Sequence, residues 1–227
     1  FNILANTRTT TRNTVNIREN EQYSQLKDPF TDEFTLFDLN MNWELSNDMT
    51  LTSVTSYTDR KILAVRDAGA LTSSITGGSI GFGEDVYALD APLDDATDVS
   101  GFTQELRIAG GDEKLTWVAG AFYSQFDRDY SQGLTVPGFE DLTGIPTKGD
   151  FIAPRDGLYW SALSYSFDQL AFFGEATFAV NESLDVTGGL RYYDFSESRV
   201  QTFDGIFAAP GTTMGETTAN GWAPRII

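Results

Sequence analysis

"FFGEATFAVNESLDVTGGLRYYDF", residues 172–195, decides how this chain folds. On one side of Asn181-Glu182-Ser183, Glu175 and Thr177 alternate with Gly174, Ala176 and Phe178. On the other, Asp185, Thr187 and Arg191 alternate with Leu184, Val186, Leu190 and Tyr192. A period of two is that of a β-strand with one apolar face, and Asn and Ser favour the tight turn between. Pairing Val180 with Leu184 sets Phe178 against Val186, Ala176 against Gly188, Gly174 against Leu190 and Phe172 against Tyr192. The other face then holds Thr177 opposite Thr187, with Glu175 diagonal to Arg191.

The same arrangement recurs twice. Residues 34–45 and 49–60 flank "SND", and pairing Leu45 with Met49 puts Trp43 opposite Leu51, Leu39 opposite Thr55 and Phe37 opposite Tyr57. Residues 99–110 and 115–130 flank "GDEK". With Gly110 opposite Leu115, Ile108 meets Trp117, Leu106 meets Ala119 and Phe102 meets Tyr123. Each Phe/Tyr pair lies near the eighth residue from its turn. At ~3.3 Å per residue and a tilt near 45° that is about 19 Å of height, close to the edge of the ~25 Å apolar band of an outer-membrane barrel.

The connections differ by end. Three turns are short, whereas residues 61–98, 131–166 and 205–220 are rich in Gly, Pro, Ser, Thr and Asp and read as long loops. Soluble sandwich strands average five or six residues and do not gather all their tight turns at one end. Strands that cross a bilayer require both features, with short periplasmic and long extracellular connections. The expected fold is all-β: a segment of an antiparallel transmembrane β-barrel with about six long strands.

Composition removes several functions. The net charge of −18 leaves no basic surface for nucleic acid. With no Cys and no His, thiolate and triad catalysis, disulfides and histidine-bound metals are absent. No stretch has the ~18 apolar residues that a spanning helix needs. "DAPLDDATD" (90–98) lacks the order of a calcium loop and reads as solvated loop; "GGSIGFG" (77–83) lacks the Lys and helix of a phosphate loop and reads as flexible. The pair Asp94 and Asp95 has no evident cleft around it. No enzymatic activity, cofactor or metal site is expected.

"LTSVTSYTDR" (51–60), "FTQELRI" (102–108) with "LTWVAGAFYS" (115–124), and "AFFGEATFAVNESLDVTGGLRY" (171–192) resemble successive barrel hairpins of TonB-dependent outer-membrane receptors. The resemblance covers residues 34–204. It implies a 22-stranded barrel occluded by a plug, of which residues 1–227 would be one mid-barrel piece, cut at both ends and without the plug. It further implies the outer membrane of a Gram-negative bacterium, contact with its lipid, and uptake of a scarce nutrient such as a ferric siderophore. The TonB–ExbB–ExbD system would supply energy through the plug. A passive porin and a secreted carbohydrate-binding β domain are the alternatives. Glu105, Arg107, Glu175 and Arg191 are expected to face the lumen, where such charges pair with one another or with the plug. The aromatics Phe82, Tyr87, Phe139, Tyr159 and Trp160 are expected in the extracellular loops as ligand contacts.

Overall fold

A computed structural model describes residues 26–46 and 48–227. Among these residues seven strands form one antiparallel sheet in sequence order: β1 (Phe30–Ser46), β2 (Met49–Asp67), β3 (Pro92–Gly111), β4 (Leu115–Thr135), β5 (Gly157–Asn181), β6 (Leu184–Asp204) and β7 (Gly211–Ile226). Short helices α1 (Gly69–Ser73) and α2 (Glu84–Tyr87) lie between β2 and β3, and α3 (Phe139–Thr143) between β4 and β5. The expected all-β architecture with alternating short turns and long loops is present, as a meander with β1 and β7 outermost among the described residues.

One strand more is found than expected. Residues 211–226 pair with β6 from Phe203↔Gly211 to Gly188↔Ile226. Their Thr, Gly and Ala hide the alternation, and large apolar side chains return only at Met214, Trp222 and Ile226. The long connections are also shorter than expected, because the strands continue past the apolar stretch. "DAPLDDATD" runs into β3 from Pro92 onward, and Tyr159 and Trp160 belong to β5 rather than to a loop. "GGSIGFG" overlaps a π-helical segment, Ser74–Ile80, instead of flexible loop.

The expected registers hold in the first and third hairpins: Trp43↔Leu51, Leu39↔Thr55, Phe37↔Tyr57, Phe178↔Val186 and Phe172↔Tyr192. Each carries a bulge at its turn, so Met49 pairs with Ser46 rather than Leu45, and Leu184 with Asn181 rather than Val180. In the middle hairpin Gly110 pairs with Trp117 and Ile108 with Ala119, two residues from the expected register. The cause is in the turn. Asp112 Oδ1 accepts the N–H groups of Lys114 (2.8 Å) and Leu115 (2.9 Å), and Gly111 (φ +141°) approaches so closely that a Cβ would lie 2.1 Å from the Leu115 carbonyl oxygen. An even slip leaves every side chain on its expected face.

The faces are continuous across the sheet. Trp43, Leu51, Ile108, Ala119, Gly174, Leu190 and Pro224 form one hydrogen-bond row on the apolar face; Glu44, Thr50, Ala109, Val118, Glu175, Gly189 and Arg225 form one on the other. Phe37, Phe172 and Trp222 on the apolar face remain 54%, 51% and 65% exposed, far more large apolar surface than a water-facing sheet carries. An aromatic belt bounds this face: Phe37, Tyr57, Phe102, Tyr123, Phe172, Tyr192 and Trp222. Phe102 and Tyr123 lie 6.3 Å apart and Tyr192 and Trp222 4.9 Å apart between ring centroids. The belt runs obliquely to the ladder. Phe102 pairs with Gln125, which pairs with Asp168, so the belt's Phe172 lies four positions nearer the turn than the Phe102 row. The turns step with it: Met49 to Tyr57, Leu115 to Tyr123 and Leu184 to Tyr192 are each eight positions from strand start to belt. Tilted strands of a barrel require this stagger if turn and belt are each to stay at one height.

Ala176→Arg, midway between turn and belt on the apolar face, is therefore expected to cost about 2–4 kcal/mol of folding into lipid vesicles. Thr177→Arg, one residue along on the opposite face, should cost little. Urea unfolding of both variants in the complete polypeptide checks this, and equal losses would mean that the two faces are not differently solvated.

Candidate functional site

Alternation sorts the charges as sharply as the apolar residues. Among the described residues all strand arginines, Arg60, Arg66, Arg107, Arg128, Arg191, Arg199 and Arg225, fall on the polar face. Beyond the belt, toward the loop end, the opposite face carries Asp59, Asp98, Asp127, Asp129, Asp168 and Asp194 with Lys61 as its strand cation.

Most arginines of the polar face have a carboxylate. Arg107 Nη1 donates to Glu105 Oε1 at 3.1 Å, two positions along the same strand. Arg60 makes a two-point pair with Asp32 at 2.9 and 2.5 Å. Asp95 accepts from Tyr130 Oη (2.8 Å), Gln132 Nε2 (2.7 Å) and the Arg66 guanidinium. Glu175 does not pair with Arg191 as its diagonal position suggests; it accepts from Arg225 Nη1 at 2.9 Å, across on β7, the strand that sequence reading missed. Arg191 lies instead over the rings of Phe122 (5.6 Å) and Phe173 (6.0 Å), and Arg128 over Tyr130 (5.6 Å). So all four sequence-selected charges lie on one face, but as two separate pairs plus a ring-bound arginine.

The loop end has a hydrophobic core of its own. Val86, Ala91, Leu134, Val136, Phe139 and Leu158 are buried together, with Phe82, Leu89, Leu93, Tyr159 and Phe207 packed against them. All three loop-end connections contribute, and Leu93, Leu134 and Tyr159 come from the polar face of the strands. The sequence-selected aromatics therefore separate. Phe139 is fully buried, which corrects its expected exposure, with Phe82 edge-on at 5.8 Å. Tyr87 covers Gly77, where a Cβ would lie 2.6 Å from its ring, and Trp160 lies over Gly133 on the other face of β5.

Two carboxylates hold this cap together, and nothing in their sequence neighbourhood marks them. Asp204 is fully buried at the end of β6. Its Oδ2 accepts the backbone N–H groups of Phe151 (3.0 Å), Ile152 (2.7 Å) and Ala153 (2.8 Å), and Oδ1 that of Gly205 (2.9 Å). Burial pushes this carboxyl up, but the four N–H donors together outweigh it and hold the group below its ordinary value. Glu140 Oε1 accepts from Thr147 Oγ1 (2.7 Å) and from the N–H groups of Thr147 (2.8 Å) and Lys148 (3.3 Å). These bonds, the Thr147 hydroxyl first, lower its pKa to about 2.

A folded loop cap above a barrel-type wall with sorted charges has the form of a surface that meets a solute. Among the described residues no cluster of carboxylates has metal-holding geometry. The sequence matches the family described as "TonB dependent receptor-like, beta-barrel" over residues 1–226. The chain belongs to that family. Among solved structures, this TonB-dependent receptor barrel segment is similar in fold to the ferric yersiniabactin uptake receptor FyuA from Yersinia pestis, with a TM-score of 0.65 and 12% identity. The match covers 89% of this chain and 27% of that receptor, so the chain spans about a quarter of its length. No curated protein sequence matches. In a barrel with an apolar outer band and a polar interior, the polar face of such a sheet is the one suited to the lumen.

The depressed carboxyls make the cap acid-labile. A group whose pKa is lowered on folding contributes stability that is complete above its unfolded value, near 4.5 for Glu140, and that is lost as pH falls toward about 2. Amide exchange at Thr147 and Lys148 is expected to lose protection as pH falls from about 5 to about 2. Glu140→Gln should be poorly protected at both ends and flat between them; a parent protein equally protected throughout would show that these bonds do not order the loop.

Proposed function

We propose that this chain is part of an outer-membrane active-transport receptor of a Gram-negative bacterium, which captures a scarce nutrient outside the cell and moves it inward with energy from the TonB–ExbB–ExbD system. A ferric siderophore is the proposed nutrient. The observation that carries the reading is the shared core of the three loop-end connections, packed onto luminal strand residues Leu93, Leu134 and Tyr159. A diffusive pore needs an open mouth, whereas a cap folded inward over the wall suits capture. The fold likeness to a ferric-siderophore uptake receptor supports the same choice. Phe82, Tyr87 and Tyr159 are only partly buried and remain the proposed loop-end contacts, with Phe139 edge-on beneath Phe82; Trp160, on the outward face of β5, is not among them.

The test replaces residues 68–91, or 136–156, by a short Gly/Ser turn in the complete receptor. Because both loops share one core, either replacement should lower affinity for the growth-supporting ferric siderophore by at least about tenfold, as loss of several aromatic contacts predicts. The barrel should still insert and stay folded on a heated gel. Unchanged affinity with both loops replaced would place recognition elsewhere, and uptake that persists after deletion of TonB would mean diffusion through a porin.

A further inference from the structure

We propose that the cap is built as two bodies, a flap and a rim: residues 69–90, between β2 and β3, lift off as an intact unit, while residues 136–156, between β4 and β5, stay fixed to the wall. This rests on the receptor reading above and names the part of the cap that gives way when a solute enters. The flap has an interior of its own. Ser73 Oγ lies between the carbonyl oxygens of Gly69 (2.6 Å) and Tyr87 (2.5 Å), which joins α1 to α2. Thr76 Oγ1 donates to the Thr72 carbonyl at 2.8 Å, and the Phe82 N–H donates to the Thr76 carbonyl at 2.9 Å. Thr72, Ser73 and Thr76 are buried by these contacts. At the base, the β2–β3 ladder ends at Asp67↔Pro92, and beyond it the Ala68 N–H donates to the Ala91 carbonyl at 2.9 Å. A lobe that leaves and rejoins the sheet at adjacent residues turns about that base with its interior intact.

The seam between flap and rim is apolar. Among the described residues, no hydrogen bond of residues 69–87 leaves residues 67–91. What the flap presents to the rest of the cap is Val86, buried in one core with Leu134, Val136, Phe139 and Leu158, and Phe82, edge-on to Phe139. Parting such a seam exposes hydrocarbon to water but strands no donor or acceptor of either body.

The rim is fastened in the opposite way. Asp204 gathers the N–H groups of Phe151, Ile152 and Ala153 from the end of β6, and Gly149 lies so near that a Cβ there would be 2.0 Å from the Asp204 carboxylate. Asp156 accepts the N–H groups of Gly138 (3.1 Å) and Glu140 (2.8 Å), while its own carbonyl accepts that of Val136 at 2.8 Å. Moving the rim would leave the fully buried Asp204 carboxylate without most of its donors, a heavier loss than the parting of two apolar surfaces. The two connections share one core but differ in what leaving it requires, so the flap parts first and alone.

Double electron–electron resonance on the complete receptor in detergent, with no solute added, tests this. Residues 1–227 contain no Cys, so once any cysteine elsewhere in the polypeptide is changed to serine, nitroxides attach only where cysteines are introduced. Three exposed positions serve in pairs: Leu71→Cys on the flap, Leu142→Cys on the rim and Ile206→Cys on the β6–β7 connection. The pairs 71/142 and 71/206 are expected to show two distances each, and the pair 142/206 one. Val86→Ala removes about two buried carbons from the seam and should raise the lifted population about tenfold, and Phe82→Ala added to it should raise that population further. Amide exchange in the same variants should leave the N–H groups of Thr72 and Tyr87, which bond within the lobe, protected. One unchanging distance for the flap pairs in the parent and both variants would overturn the flap. Two distances for the pair 142/206 would overturn the fixed rim, and loss of protection at Thr72 and Tyr87 would overturn the intact body, because the lobe would then melt instead of lifting. Since no solute enters the experiment, none of these failures touches the receptor reading, which the loop replacements and the deletion of TonB decide.

Discussion

Hydrocarbon offers no hydrogen bonds, so each backbone N–H and C=O of a strand that borders it must pair with a neighbouring strand. The sheet follows from that constraint. Its six ladders run nearly uninterrupted, and their irregularities lie at the ends: at two short turns, between Glu44 and Ser46 and between Ala179 and Asn181, and at the loop end of β4 between Leu134 and Thr135. Unbroken pairing fixes side-chain parity for the length of a strand. Parity then decides that Leu190 faces outward and Arg191 inward, because an arginine on the hydrocarbon side costs about 2–4 kcal/mol at the midplane and little in a wet lumen.

Parity was legible wherever a strand uses large apolar residues. Residues 172–195 gave both strands and their faces because Phe178, Val186, Leu190 and Tyr192 leave no second way to alternate. Where those residues run out, legibility fails. β7 is built from Thr, Gly and Ala, and only its ladder with β6 makes it a strand. The register of the middle hairpin depended on whether Asp112 would cap its own turn, which spacing alone does not settle. The strand ends beyond the belt, including Tyr159 and Trp160, read as loop because water on both faces removes the apolar alternation that marks a strand.

The site was legible as a face but not as partners. Glu105 and Arg107 share a strand and a face, so their pairing follows from spacing. Glu175 takes Arg225 in place of Arg191, a choice made by a strand that the sequence did not reveal. Asp204 and Glu140 were invisible for a different reason. Asp204 binds backbone N–H groups of a distant loop segment and Glu140 those of its own loop with the Thr147 hydroxyl, and a backbone donor has no sequence signature.

Beyond the belt the membrane no longer dictates which residue types a strand uses, and the two faces there still differ. Outward positions are Asp and Ser, as water and outer-leaflet headgroups on that side require. Inward positions on β4–β6 place Phe126, Phe167, Tyr193, Phe195 and Arg128 among Ser124, Gln169 and Glu197. Above this wall the cap is fastened to the end of β6 by Asp204, whose carboxylate gathers the N–H groups of Phe151, Ile152 and Ala153 and so ties the β4–β5 connection to a neighbouring strand.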